Sequence, residues 1–209
     1  MPTPILEFFY DYSSPWTYLA FTRIEDVCQR AGAELVWKPI LVGGIFNTVN
    51  PSVYEARERP VVPKARYMMK DLADWASFYG IRIRFPPSVF PVNSVKALRG
   101  AFVALEHGQI SAYSAALFSS YFGEDLDISR DEVLRSIVER VGLDPVEYFE
   151  KIARQDYKDR VRANTDECVR RGGFGSPTMF VGDDMYFGND RLPLVERALA
   201  RTARSRTVP

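Results

Sequence analysis

Residues 10–21, YDYSSPWTYLAF, carry an apolar strand directly into a helix, with two hydroxyl side chains at the junction. Pro15 suits the first helical position, because a helix start leaves that N–H without a partner in any case, and Ser14 suits the N-cap before it. Apolar residues then recur at steps of three and four up to Ala31, and Gly32 suits the position after the last turn. The stretch therefore predicts a strand, a capped turn and a helix.

Strands predicted on both sides make this helix the centre of a βαβ unit. Residues 4–10, PILEFFY, and residues 34–40, ELVWKPI, are rich in side chains that favour strands. From about residue 45 to 165 the pattern changes to five amphipathic helical segments without a convincing strand, and the last of them, which begins at Pro145 and runs to Gly172, is predicted as one helix. Residues 178–187, TMFVGDDMYF, then predict a hairpin around Gly-Asp-Asp, and residues 190–203 predict a last helix.

The order βαβ, helices, ββα defines the predicted fold class. A parallel unit and an antiparallel hairpin that share one sheet give an α/β, thioredoxin-like, four-stranded mixed sheet with a large all-helical insertion. We predict a discontinuous thioredoxin-like domain of residues 1–44 and 166–209, and an inserted helical domain of residues 45–165. In this fold a cis-proline faces the start of the first helix, so the Ser176–Pro177 bond is the expected cis bond. It would leave the N–H and C=O of Ser176 free for a peptide-like ligand.

Composition and cysteine spacing exclude several classes of function. Twenty-seven basic residues balance twenty-seven acidic ones, so no excess positive field is present to hold a nucleic acid. No run approaches the ~18 apolar residues of a membrane helix, and the first residues lack the charge pattern of a signal peptide. We therefore expect a cytoplasmic protein that binds neither nucleic acid nor membrane. Cys28 and Cys168 belong to no cluster with metal-ligand spacing, so no metal site is expected.

The start of the first helix occupies the position where thiol-disulfide enzymes of this fold carry Cys-x-x-Cys. Here the frame consists of Ser14, Pro15, Trp16 and Thr17, so disulfide exchange through this site is excluded. The field that favours a thiolate belongs to the helix N-terminus and remains. A thiolate carried by a ligand could use that field together with a hydrogen bond from the Ser14 hydroxyl. The alternative is that Ser14 only caps the helix.

Five segments in register resemble one family over about residues 5–200. They are FYDYSSPWTYLA, LVGGIFNTVNP, KARYMMKDLADWASFYGI, NSVKALRGA and GGFGSPTMFVGDDMYFGNDRL. These segments resemble the kappa-class glutathione transferases and, more closely, the bacterial 2-hydroxychromene-2-carboxylate isomerases. The resemblance implies a role in aromatic compound degradation, in which a glutathione thiolate adds reversibly to an unsaturated keto acid. The implied reaction interconverts 2-hydroxychromene-2-carboxylate and trans-o-hydroxybenzylidenepyruvate, or a related aromatic keto acid.

The resemblance also implies a glutathione site and a homodimer. Ser14 matches the catalytic serine of the family, which holds the glutathione sulfur as thiolate, and Ser176 before Pro177 matches the residue that clamps the cysteinyl backbone. The other implied glutathione ligands are Asn50, Lys64, Asn189 and Asp190. Asp190 would receive the ammonium of the γ-glutamyl group, with a plain N-cap as its alternative. Asn50 lies in a loop that departs from the kappa-class Asn-Gln-Pro-Pro pattern, and Lys64 has a solvated helix face as its alternative.

Two other functions fit the same motifs. A kappa-class-like glutathione transferase would conjugate electrophiles irreversibly on this scaffold. A non-catalytic thioredoxin-like protein would use the cis-proline groove to bind extended peptides. The isomerase needs a small aromatic carboxylate as substrate, and aromatic and cationic side chains of the helical insertion favour it: Phe46, Tyr67, Trp75, Phe85, Phe90 and Arg99.

Overall fold

The computed structural model describes residues 3–205 and places four strands of this range in one mixed sheet. The strands are β1 (Ile5–Tyr10), β2 (Glu34–Pro39), β3 (Thr178–Val181) and β4 (Asp184–Phe187). Their order in the sheet is β2-β1-β3-β4. β1 runs parallel to β2 and antiparallel to β3, and β4 runs antiparallel to β3. This arrangement confirms the predicted thioredoxin-like fold class.

Helices cover the sheet and fill the long connection between β2 and β3. They are α1 (Pro15–Ala31), α2 (Val42–Val49), α3 (Ser52–Glu58), α4 (Val62–Tyr79), α5 (Val95–Glu106), α6 (Ile110–Phe118), α7 (Asp131–Arg140), α8 (Pro145–Ala153), α9 (Gln155–Arg170) and α10 (Leu192–Ser205). A π-helical turn, Ser119–Gly123, extends α6, and a 3-10 turn, Asn189–Arg191, precedes α10. Within residues 3–205, no helix is both long and apolar enough to cross a membrane.

The helical insertion contains more helices than the five that the sequence predicts. Residues 42–58 form α2 and α3, two short helices joined at Asn50 and Pro51. The segment after residue 145, predicted as one helix, is broken at Arg154, whose backbone is extended with a ψ of 151°. The Arg154 side chain then binds Asp156 in the first turn of α9 at 2.8 Å. Helices as short as α2 and α3 span too few turns to show the 3.6-residue hydrophobic period, so the sequence pattern does not identify them.

The insertion and the sheet share buried side chains. Leu6 and Phe8 of β1 belong to the same apolar cluster as Leu98 of α5, and α5 and α9 both pack against β2. The division of the chain after residues 44 and 165 stays a prediction. The outer ends of the predicted thioredoxin-like domain, residues 1–2 and 206–209, lie outside the described residues.

Glu106, at the end of α5, binds side chains of α8 and α9. It accepts hydrogen bonds from Lys151 Nζ at 2.9 Å, Tyr157 Oη at 2.6 Å and Arg160 Nη1 at 2.6 Å. Partial burial opposes the ionised form, but these hydrogen bonds together outweigh it and lower the pKa of Glu106 to about 2. The ionised carboxylate therefore stabilises the fold above the unfolded pKa of about 4.3, and that stabilisation is lost as pH falls through about 2.

Glu106→Gln is expected to lower the free energy of unfolding by about 1 kcal/mol at neutral pH, a value reduced because the side chain is 35% exposed and screened by solvent. The difference from wild type should shrink between about pH 4 and pH 2, since the wild-type carboxyl is then protonated. Urea unfolding over this range measures it. Glu150→Gln, at an exposed position on α8, is the control and should show no such trend. A difference that is constant with pH would contradict the assignment.

Candidate active site

The loop between β1 and α1 places Ser14 at the start of the helix. Ser14 is the N-cap: its backbone is extended, with φ −100° and ψ 119°, and its Oγ accepts a hydrogen bond from the N–H of Thr17 at 3.2 Å. Pro15 occupies the first helical position. Ser14 thus caps the helix, and its hydroxyl proton remains available for a second partner.

That second partner is the residue before a cis-proline. The Ser176–Pro177 bond is cis, and the Ser14 hydroxyl donates to the carbonyl oxygen of Ser176 at 3.0 Å. The Ser176 side chain accepts from the N–H of Asp11 at 2.9 Å and shares a hydrogen bond with Thr17 Oγ1 at 2.7 Å. The expectation of a free C=O at Ser176 is therefore wrong, because the N-cap hydroxyl faces it. The N–H of Ser176 has no hydrogen-bond acceptor among residues 3–205.

A buried carboxylate lies behind this pair. Asp11 is 0% exposed. Its Oδ1 accepts from the N–H of Ser13 at 2.9 Å and from Ser94 Oγ at 2.7 Å, and its Oδ2 accepts from the N–H of Val42 at 2.8 Å. Burial raises the pKa of Asp11 above its ordinary value, and the hydrogen bonds from Ser13, Val42 and Ser94 oppose that rise. Asp11 therefore joins the starts of α1, α2 and α5 at one point.

The sequence interpretation did not include Asp11. The only signal was its place: an acidic residue follows the apolar run FFY and precedes the helix cap by three positions. A carboxylate there is also typical of an exposed turn, in which it accepts from the N–H two residues later. Val42 and Ser94, whose hydrogen bonds fix the buried carboxylate of Asp11 in place, lie 31 and 83 residues away along the chain.

Neither cysteine contributes a sulfur to the site. Cys28 lies on α1 and Cys168 on α9, and both are free and buried. Burial raises the pKa of each thiol to about 11, so both are protonated at neutral pH. Among the residues that the structure describes, no group of three or more His, Cys, Asp or Glu could hold a metal ion.

Asn50 and Lys64, two of the predicted glutathione ligands, have different environments. Asn50 ends α2, and its Nδ2 donates to the carbonyl oxygen of Phe174 at 3.1 Å. This bond ties the turn between α2 and α3 to the segment that leads to Pro177. Lys64 lies exposed in the first turn of α4 and makes no ion pair within the described range. Asn50 therefore lies at the edge of the site, whereas Lys64 makes no hydrogen bond or ion pair to the site among residues 3–205.

Asn189 and Asp190 lie in the 3-10 turn before α10. The N–H of Gly188 donates to the carbonyl oxygen of Pro177 at 3.1 Å, which attaches this turn to the cis-proline. Asp190 is exposed and pairs with Arg191. Asn189 is only 3% exposed, and its buried Nδ2 makes no hydrogen bond of good geometry among the described residues. The Asn189 side chain lies beside the hydroxyl of Tyr79, where it partly offsets the rise in the pKa of Tyr79 that burial causes. Asp190 is thus accessible to a cationic ligand group, whereas the Asn189 amide is enclosed.

The aromatic and cationic residues predicted from the sequence to favour an aromatic substrate have different surroundings in the structure. Phe46 lies beside the cis-proline segment, since a Cβ at Gly175 would be 3.9 Å from its ring. Phe85 and Phe90 pack edge to face with ring centroids 4.9 Å apart. Tyr67 is exposed on α4, and Trp75 of the same helix packs on Phe78 and Tyr79. The Nη1 of Arg99 on α5 lies 3.4 Å from the carbonyl oxygen of Ile152.

Comparisons with known proteins show which chains this one is similar to. Residues 5–200 match the family model of the DSBA-like thioredoxin domain. A 2-hydroxychromene-2-carboxylate isomerase of Sphingobium xenophagum is 32% identical over 94% of this chain and 98% of its own. Human glutathione S-transferase kappa 1 is 28% identical over 93% of this chain and 90% of its own. A solved structure of a 2-hydroxychromene-2-carboxylate isomerase, 30% identical, superposes with a TM-score of 0.81 and covers 97% of each chain.

Proposed function

Because the chain belongs to the DSBA-like thioredoxin family, in the branch of the 2-hydroxychromene-2-carboxylate isomerases, we propose that it is an isomerase of a small aromatic keto acid that depends on glutathione. One observation carries the proposal. The Ser14 hydroxyl lies at the N-terminus of α1, 3.0 Å from the carbonyl oxygen of Ser176, where thiol enzymes of this fold have a cysteine. The site thus provides the environment of a reactive thiolate without containing a sulfur.

The site residues fit a peptide-like thiol. The unpartnered N–H of Ser176, beside the cis-bonded Pro177, can donate to a ligand carbonyl in the manner of an added strand. Asp190, with its side chain 45% exposed, can accept hydrogen bonds from an ammonium group. Asn50 at the site edge adds an amide. Lys64 makes no hydrogen bond or ion pair with these residues within the described range, so its proposed role is limited to a longer-range attraction for a ligand carboxylate.

In the proposed mechanism, glutathione supplies a thiolate nucleophile for the double bond of the substrate. The residues of this chain hold and orient that charge. The Ser14 hydroxyl turns from the neutral carbonyl of Ser176 toward the charged acceptor, with which a hydrogen bond is stronger. The N-terminus of α1 adds its positive partial charge. Because both interactions favour the ionised form, Ser14 and the helix together lower the pKa of the bound thiol.

The direct test is turnover of 2-hydroxychromene-2-carboxylate with and without glutathione. We expect interconversion with trans-o-hydroxybenzylidenepyruvate only when glutathione is present, while the concentration of free thiol stays constant. Constant thiol distinguishes an isomerase from a conjugating enzyme, since conjugation consumes one thiol for each product molecule. Titration of glutathione by calorimetry tests the cofactor separately. Absence of both heat and turnover would contradict the proposal and favour a peptide-binding protein.

The transferase alternative rests on the human kappa-class relative, which is 28% identical to this chain. On this chain a transferase reaction would use the same Ser14 and the same N-terminus of α1 as the isomerase reaction. The two reactions differ only in whether the glutathione thiol is regenerated or stays bonded to the product. Loss of free thiol in step with product would therefore identify this chain as a transferase.

We further propose a homodimer in the cytoplasm. Val62, Tyr67 and Phe78 of α4 are 63%, 64% and 77% exposed, which supports an interface on this helix. Two free cysteines are consistent with a reducing compartment. Sedimentation equilibrium tests the dimer, which should have twice the mass of the chain, and fractionation of the source cells tests the location.

A further inference from the structure

Arg57, on α3, is a cation without an anionic partner. Its guanidinium carbon lies 5.7 Å from the ring centroid of Phe46 and 5.5 Å from that of Phe90. Arg57 is exposed, and within residues 3–205 it makes no ion pair and no side-chain hydrogen bond. Such cation–π contacts in water contribute only about 0.5–1 kcal/mol each. They hold the side chain in place while its N–H donors remain available.

Each of the two rings lies near a different segment of the candidate active site. A Cβ at Gly175 would lie 3.9 Å from the Phe46 ring, and Gly175 directly precedes Ser176. On the other side, Phe90 lies four residues before Ser94, which donates to the carboxylate of Asp11 at 2.7 Å. The cation therefore lies between the cis-proline segment and the segment that leads into α5.

We propose that Arg57, with Phe46 and Phe90, binds the carboxylate and ring of the aromatic substrate. The inference rests on the proposed isomerase function and names the substrate subsite within it. A guanidinium presents a planar set of donors that matches a carboxylate bidentately. The two aromatic rings near it offer stacking or edge contacts to a substrate ring. No residue of this subsite is among the glutathione ligands proposed above, so the subsite lies next to the glutathione site and uses different side chains.

The test measures binding of trans-2-hydroxycinnamate, an unreactive aromatic carboxylate, and of its uncharged amide by calorimetry. The wild-type protein should bind the acid at least about tenfold more tightly than the amide, since a bidentate charged pair is lost in the amide. Arg57→Gln should bind both ligands equally, and Arg57→Lys should keep part of the preference. In turnover, Arg57→Gln should raise KM about 10–100-fold and change kcat little, because the pair forms equally in ground and transition states.

Arg59→Gln is the matched control, because Arg59 is also exposed at the end of α3 but has no aromatic contact among the described residues. It should behave as wild type. An Arg57→Gln protein that keeps the preference for the acid, or a wild-type protein without that preference, overturns the inference. If the preference depends on Arg57 but no isomerisation occurs, the subsite stands and the proposed function fails. If turnover needs glutathione but is unaffected in Arg57→Gln, the proposed function stands and the subsite fails.

Discussion

Ser14→Ala is expected to lower kcat about 10²-fold or more while glutathione still binds. The hydroxyl at this position donates to the carbonyl oxygen of Ser176 at 3.0 Å and is the proposed donor to the thiolate. Loss of one donor to a charge that reacts typically lowers kcat about 10²–10³-fold. The pKa of the bound thiol should rise as well, because the ionised form loses its hydrogen bond. Thiolate absorbance of the bound glutathione, followed against pH, measures that rise.

Three further variants separate catalysis from capping. Ser14→Ala also removes an N-cap, which costs roughly 1 kcal/mol of stability, whereas glycine at an N-cap costs only a few tenths. Ser14→Gly should therefore be nearly as stable as wild type and as inactive as Ser14→Ala. Ser14→Thr keeps a hydroxyl and should keep activity. Ser13→Ala is the neighbouring control: it keeps the backbone N–H that donates to Asp11 at 2.9 Å and loses only the smaller side-chain contribution of Ser13 to that carboxylate. Wild-type rates in Ser14→Gly would show that Ser14 is only a cap.

Asp11→Ala is expected to destabilise the protein by about 4 kcal/mol. The substitution leaves the N–H groups of Ser13 and Val42 and the hydroxyl of Ser94 without the acceptor that they share. Each buried donor without a partner costs about 1–3 kcal/mol. Because these donors lie at the starts of three helices, turnover should also fall in the fraction that remains folded. Urea unfolding measures the change in free energy.

Asp127 supplies a matched control for this carboxylate. Its Oδ1 accepts from the N–H of Ser129 at 2.9 Å, which repeats the local turn that Asp11 makes with Ser13. Asp127 is only half-buried, so water can replace the lost acceptor, and Asp127→Ala should cost less than about 1 kcal/mol. Equal losses in the two variants would show that the local turn, and not the junction of three helix starts, determines the effect.

Local patterns were sufficient to predict the sheet and the helix that carries Ser14. Alternating and apolar runs identify strands, and the Ser-Pro start and the glycine end identify α1, because these signals lie within the element itself. The helices after β2 were harder: α3 is only seven residues long and buries none of them, so it leaves no apolar stripe.

Contacts between segments that are far apart along the chain could not be predicted from sequence patterns. The bond from Ser14 to Ser176 joins residues 162 positions apart, and Asp11 binds partners from three helices. Arg57 gave no signal, because an arginine on a short polar helix is usually solvated. Its meaning depends on Phe46 and Phe90, which only the folded chain brings to it.

The buried hydroxyl of Thr17 bears on how this scaffold could have diverged from thiol redox enzymes. In those enzymes a second cysteine attacks the mixed disulfide and releases it. Here the corresponding position holds Thr17, bonded to Ser176 Oγ at 2.7 Å. Cys28 lies eleven residues further along α1, about 16 Å along the axis. A cysteine introduced at position 14 alone would attack oxidised glutathione, form a mixed disulfide with one glutathione and release the other as free thiol. With no second cysteine at position 17, only an external thiol such as another glutathione would resolve that mixed disulfide. A stepwise path between the two chemistries therefore passes through a one-cysteine form whose disulfide exchange depends on an external thiol, unless positions 14 and 17 change together.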